Sequence, residues 1–235
     1  MAKSDLVILH GWQSNISRWN PLAKILNHYF KVFLPVIPGF GKEKLSRPWK
    51  IADYVSWFRD YLSSKKIYKP IIVAHSNGGR IAMAYVSKYR KTNKLILIAT
   101  PARKTERTLK KMFFLKLAKT GKTFFKKRSL VYLKKPARWF LYTLAGEKDY
   151  YRAEGFLKPT MKNLIETDII SYAKHIEVPT LILWGQEDAS ITLEEAYILQ
   201  SVIRKSRLVV FKKVGHNLPF TRTKKIASQI IQFCQ

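Results

Sequence analysis

Short apolar runs alternate with stretches of helically spaced apolar positions along the 235 residues of this chain. Leu6–Leu9 is continuously apolar and reads as a buried strand, with His10-Gly11-Trp12 directly after it. The pattern predicts a helix from about Trp19 to Tyr29 and a second strand from Lys31 to Val36, closed by the turn residues Pro38-Gly39-Phe40-Gly41. Ile51–Leu62 carries the next helical spacing. Pro70 opens a third strand, a helix running to about Tyr89 follows it, and Lys94–Ala99 is a fourth strand. Val178–Gly185 and a segment beginning Arg207–Val210 complete the strands, with helices at Leu193–Ile203 and Lys224–Phe233. Strands that alternate with helices predict a parallel sheet covered on both faces.

One stretch breaks this rhythm. From Pro101 to about His175 the pattern is helical and rich in Phe, Tyr, Leu and Lys, with no strand. An insertion at the C-terminal ends of sheet strands lies over the ligand crevice. Residues 101–175 are therefore expected to form a basic helical cap over a core made of residues 1–100 and 176–235. No repeat or low-complexity linker separates the two, so they are expected to fold as one unit.

Composition narrows the classes. With 47% hydrophobic and 13% aromatic residues the chain can fill a core, which argues against global disorder. It lacks the apolar run of about eighteen residues that a membrane span needs. Met1–Asp5 carries no apolar segment of a secretory leader, and the single cysteine, Cys234, can form no intramolecular disulfide. A cytoplasmic protein is expected. The net charge of +29 is the odd feature, and Arg103–Arg138 alone holds 14 Lys/Arg against one acid, Glu106. Such a field attracts nucleic acid, anionic lipid and acidic metabolites, so the basic cap is a candidate surface for anionic partners; lysine spread as solvated surface would give the same total. No helix-turn-helix, zinc finger or RNP-type signature indicates an obligate nucleic-acid partner.

Candidate chemistry centres on Ile71-Ile72-Val73-Ala74-His75-Ser76-Asn77-Gly78-Gly79. A strand that becomes a helix at one residue must bend sharply, and the positions two before and two after, here Ala74 and Gly78, must be small. Such an elbow holds the Ser76 hydroxyl clear of the sheet beside a helix N-terminus. Serine hydrolysis also needs a histidine base and a carboxylate that fixes its tautomer. Of His10, His28, His75, His175 and His216, one is paired with a carboxylate after successive core strands: Glu187-Asp188 follows one strand and His216 follows the next. Parallel strands place both loops on the edge where Ser76 emerges. No cluster of metal-ligand type is visible, so neither a metal nor a cofactor is expected.

The chain resembles the α/β-hydrolase superfamily over nearly its whole length. His10-Gly11-Trp12 is similar to the family's oxyanion loop, Ala74–Gly79 to its elbow, and Pro35–Gly41 to its Pro-Gly-x-Gly turn. Trp184-Gly185-Gln186-Glu187-Asp188 and Gly215-His216 resemble its acid and histidine loops. The resemblance implies an α/β-hydrolase fold, a mainly parallel sheet of about six strands flanked by helices, with a helical cap. Only the nine residues before His10 are available for the strands that open the family's sheet, so these are expected to be absent. Ser76 is then the nucleophile, His216 the base and Asp188 the acid, with Glu187 its competing neighbour. The backbone N–H groups of Trp12 and Asn77 form the oxyanion hole. His10 is expected to shape its loop and, with His75, Phe113 and Phe140, to line the substrate pocket. Ala74 and Val36 replace the family's usual elbow glycine and turn aspartate without touching these roles.

A serine at the elbow excludes the haloalkane dehalogenases and epoxide hydrolases, which attack with a carboxylate there. The expected activity is that of a carboxylesterase on small or medium esters, lactones included, through an acyl-enzyme. Thioester or C–C bond hydrolysis is the alternative within the fold. A basic-surface binding protein with little catalysis is the alternative of another class.

Overall fold

The apolar runs pair into one sheet in the computed structural model, which describes residues 3–12, 16–41, 44–103 and 153–235. The strands are β1 (Asp5–Leu9), β2 (Lys31–Phe33), β3 (Ile71–His75), β4 (Lys94–Ile98), β5 (Thr180–Gly185) and β6 (Ser206–Phe211). Their order is β2-β1-β3-β4-β5-β6, and every neighbouring pair is parallel. Parallel pairing requires a crossover between successive strands. Helices α1 (Asn20–Leu26, after a 3-10 turn at Ile16–Trp19), α2 (Ile51–Ser64), α3 (Asn77–Tyr89) and α6 (Leu193–Val202) occupy these crossovers. The described residues from Ala153 onward contribute α4 (Leu157–Glu166) and α5 (Ile169–Ala173). The chain ends in α7 (Leu218–Thr221) and α8 (Thr223–Cys234).

Side-chain alternation along the strands divides the core in two. Val7, Leu9, Ile72, Ala74, Leu95, Leu97, Ile182 and Trp184 face one way and meet α2, α3, α5 and α6. Leu6, Ile8, Ile71, Val73, Ile96, Ile98, Leu181 and Leu183 face the other and meet α1 and α8. These strand side chains are at most 2% exposed, and each fully buried Leu or Ile stabilises the fold by about 1.5–3 kcal/mol. The continuous apolar runs thus arise because both faces are covered.

Two elements end three residues earlier than the sequence pattern predicts. β2 stops at Phe33 rather than Val36: Pro35 has no N–H to give a ladder, and the Ile37 N–H donates instead to His10 Nε2 at 3.0 Å. The first helix stops at Leu26 rather than Tyr29, and the Asn27 side-chain oxygen accepts from the Val32 N–H at 3.2 Å. Within the stretch expected as a cap, Leu164, Ile169 and Ala173 join the core cluster under α3 and α6. The larger part of that stretch, Phe113 and Phe140 included, lies outside the described residues.

All strands end on one edge. The chain leaves β1 for β2 in one direction and passes from β2 back across β1 to β3 in the other, so the topological switch point lies at the C-terminal ends of β1 and β3. Trp12 and Ser76 both stand there.

Candidate active site

Ser76 links β3 to α3 with φ 52° and ψ −121°. A non-glycine residue at positive φ is strained and persists only where its surroundings hold it. Here the Ser76 N–H donates to the Ile98 carbonyl at 2.9 Å, and the Ser76 carbonyl accepts from the Gly79 N–H at 3.0 Å. Gly78 allows α3 to start against β1. A Cβ there would lie 2.6 Å from the His10 carbonyl oxygen and closer still to that of Leu9. Because those atoms are backbone, Gly78→Ala is expected to cost about 3 kcal/mol, the upper part of the overpacking range. The denaturation midpoint should fall with an unchanged m-value; a wild-type midpoint would show that the elbow can yield.

His216 follows β6 and lies across the crevice. Its Nδ1 is 2.8 Å from Asp188 Oδ2, and its Nε2 is 3.1 Å from Ser76 Oγ. A carboxylate only accepts, so the Nδ1 proton points to Asp188 and the Nε2 lone pair points to the serine hydroxyl. Asp188 is 4% exposed, and its other oxygen accepts from the Ser190 and Ile191 N–H groups at 2.8 and 2.9 Å. Three donors therefore fix its orientation. Glu187 is exposed, and its N–H is bound to the Val214 carbonyl at 2.9 Å. The two loops approach this closely because Gly185 has no side chain: a Cβ would lie 2.7 Å from the Gly215 carbonyl oxygen and nearer that of Val214.

The loop after β1 passes directly beside the elbow, since a Cβ on Gly11 would lie 3.2 Å from Ser76 Cβ and 2.8 Å from His75 Nδ1. Trp12 follows it, with its ring 4.6 Å from that of Phe40. Asn77 supplies the first amide of α3, one of the donors a helix start leaves unpaired. His10 is buried with both nitrogens engaged: Nδ1 donates to the Gly11 carbonyl at 2.8 Å and Nε2 accepts from the Ile37 N–H. Burial lowers its pKa, against the opposing pull of the Gly11 carbonyl. His75 donates from Nε2 to the His216 carbonyl at 3.1 Å, and its ring lies 4.9 Å from the His216 ring. Burial first, then the charge of a protonated His216, push its pKa down to about 3. Trp12 Nε1, Asn77 Nδ2 and His75 Nδ1 are buried without a hydrogen-bond partner among the described residues.

The profile of the alpha/beta hydrolase fold family matches residues 6–223. The chain belongs to that family. Among relatives of this α/β hydrolase, AB hydrolase superfamily protein YisY of Bacillus subtilis is 26% identical over 252 residues, covering 97% of this chain and 90% of the relative. The pimeloyl-[acyl-carrier protein] methyl ester esterase of Wigglesworthia glossinidia brevipalpis is 26% identical over 262 residues, covering 97% and 92%. The enol-lactonase of Burkholderia xenovorans LB400 superposes with a TM-score of 0.77 at 18% identity, covering 100% of this chain and 92% of that one. That last likeness is one of fold.

Two residues that sequence reasoning passed over tie described parts of residues 101–175 to the core of this α/β hydrolase. Arg80, one turn into α3, is 2% exposed and donates to the carbonyls of Leu164 at 3.2 Å and Arg103 at 3.0 Å. Burial lowers its pKa to about 10, opposed by the charge of Glu195. Glu195 on α6 accepts from the Ala102 and Arg103 N–H groups at 2.7 and 2.8 Å and from Arg103 Nε at 2.7 Å. Burial alone would raise its pKa, but these donors outweigh it and the net shift is downward. Both ends of the stretch are thus held beside the elbow helix. The available signal was a cation inside an otherwise apolar helical run, Gly79-Arg80-Ile81.

Proposed function

We propose that the protein is a serine hydrolase that cleaves small or medium carboxylic esters through an acyl-enzyme. The observation that carries this reading is the chain of contacts Ser76 Oγ to His216 Nε2 at 3.1 Å and His216 Nδ1 to Asp188 Oδ2 at 2.8 Å. Ser76 Oγ attacks the ester carbonyl carbon while its proton passes to His216 Nε2. The imidazolium formed is stabilised by Asp188, which itself stays unprotonated. The carbonyl oxygen becomes an oxyanion held by the Trp12 and Asn77 N–H groups. Collapse of the tetrahedral intermediate expels the alcohol, which takes the proton from His216. Water then repeats the sequence on the acyl-enzyme, releasing the acid and restoring Ser76. Relatives named as a methyl ester esterase and a lipase support ester cleavage over the other acyl-transfer routes.

The test is turnover of a p-nitrophenyl ester series of increasing acyl length, run beside aryl thioesters and a vinylogous diketone. Short and medium esters are expected to turn over fastest. Hydrolysis of the thioester or diketone without ester turnover would reject the substrate class, and inertness toward all three would reject the enzyme reading.

A further inference from the structure

The two helical layers differ in how they carry charge. Over one face of the sheet carboxylates stand among the cations, and some pair with them: Arg47 with Asp53 at 2.6 Å, Arg59 with Asp60 at 2.7 Å and Arg103 with Glu195 at 2.7 Å. The other face is covered by the 3-10 turn, α1, α7 and α8, which contain no Asp or Glu. The sequence has no acid between Asp5 and Glu43 and none after Glu195. Yet this layer exposes Arg18, Lys24, Lys31, Arg222, Lys224 and Lys225. Among the described residues none of the six is in a salt bridge; Arg18, for instance, lies over the Phe220 ring at 4.1 Å. Asp5, at the start of β1, lines a surface cleft together with Lys3 and Lys31. A general abundance of lysine explains a high total charge. It does not explain why the helices of one layer hold no Asp or Glu.

The same layer has a groove with apolar walls and a polar rim. It spans about 510 Å³ where α1 and α8 pack together, with Ile25, Tyr29, Ala227 and Ile231 among Lys224, Ser228, Gln232 and Gln235. Tyr29 is 51% exposed. Cations around an apolar cleft with an amphipathic aromatic ring suit the boundary between lipid headgroups and acyl chains. A nucleic acid would engage the cations and leave the cleft uncovered.

We propose that the α1/α8 layer docks the protein on an anionic phospholipid surface, with its cations at the headgroups and Tyr29, Ile25 and Ile231 reaching the acyl boundary. No helix among the described residues is long and apolar enough to cross a membrane, so this docking is peripheral. It uses a flank of the sheet and leaves the strand edge that carries Ser76 uncovered. It is independent of the chemistry proposed for Ser76, and Ser76→Ala protein should bind as wild type does.

Flotation of the full chain with phosphatidylserine-containing vesicles, pure phosphatidylcholine vesicles and duplex DNA tests it. Binding is expected to the anionic vesicles alone among the lipids. Lys24→Glu, Lys224→Glu and Lys225→Glu combined should weaken it about a hundredfold, from the contribution of each cation near a charged bilayer. Tyr29→Ser should keep the anionic preference but lose the fraction that survives high salt, since salt screens charge and not apolar contact. Lys65→Glu, Lys88→Glu and Lys174→Glu, the same charge change on the other layer, should leave binding near wild type. Equal loss in both triple variants would reduce the effect to net charge and overturn the proposal. No binding to anionic vesicles, or tighter binding to DNA, would also overturn it. Circular dichroism on each variant separates lost docking from lost folding.

Discussion

Ser76→Ala is expected to lower ester turnover by about three orders of magnitude or more while the protein stays folded. The hydroxyl is the one atom group at the elbow placed to attack, and it lies 3.1 Å from the imidazole that would take its proton. Alanine keeps the Cβ and imposes no new demand on a backbone already held at φ 52°. The two hydrogen bonds that hold the elbow, from the Ser76 N–H and to its carbonyl, are both main-chain and survive the substitution. The loss should therefore appear in kcat and not in the melting transition. A fluorophosphonate probe should label the wild-type chain once, with the adduct on Ser76. A folded variant retaining more than about a tenth of the wild-type rate would exclude Ser76 as the nucleophile.

Asp188→Asn should reduce kcat by about three to four orders of magnitude, whereas Glu187→Gln should be close to wild type. An amide at position 188 offers an N–H where His216 Nδ1 now donates, or turns to keep its oxygen there and loses the charge that stabilises the imidazolium. In the turned orientation the amide NH2 would also face the Ser190 and Ile191 N–H groups, which then lose their acceptor. Glu187 is exposed and touches the site through its main chain. The pH profile of kcat/KM adds a second readout. Acidification should remove activity along a single one-proton limb, because a protonated His216 cannot accept from Ser76. His75, whose pKa burial pushes down to about 3, holds no charge in the working range and should add no second limb. A limb steeper than one proton, or a damaged Glu187→Gln beside a healthy Asp188→Asn, would contradict this assignment of roles.

Much of the architecture is legible in the chain because a strand buried on both faces must be apolar throughout, and a strand–helix elbow must be small on either side of its apex. Leu6–Leu9, Ile71–His75, Lys94–Ile98 and Thr180–Gly185 follow from the first rule, and Ala74 and Gly78 from the second. Parallel order then brings the residues after β1, β3, β5 and β6 to one edge without any knowledge of contacts. Periodicity says which side of an element is buried, and it does not say what stands across from it. Which of Glu187 and Asp188 faces His216 depends on where the loop after β5 turns, through two N–H donors that orient the Asp188 carboxylate. The end of β2 was decided by a nitrogen of His10, 27 residues away, which takes the N–H that a longer strand would have paired. Arg80 is a cation within an otherwise apolar helix, and its partners, the Leu164 and Arg103 carbonyls, lie outside that helix. A buried polar group is stable only with its partner, and the partner comes from a distant part of the chain that only the folded structure brings near.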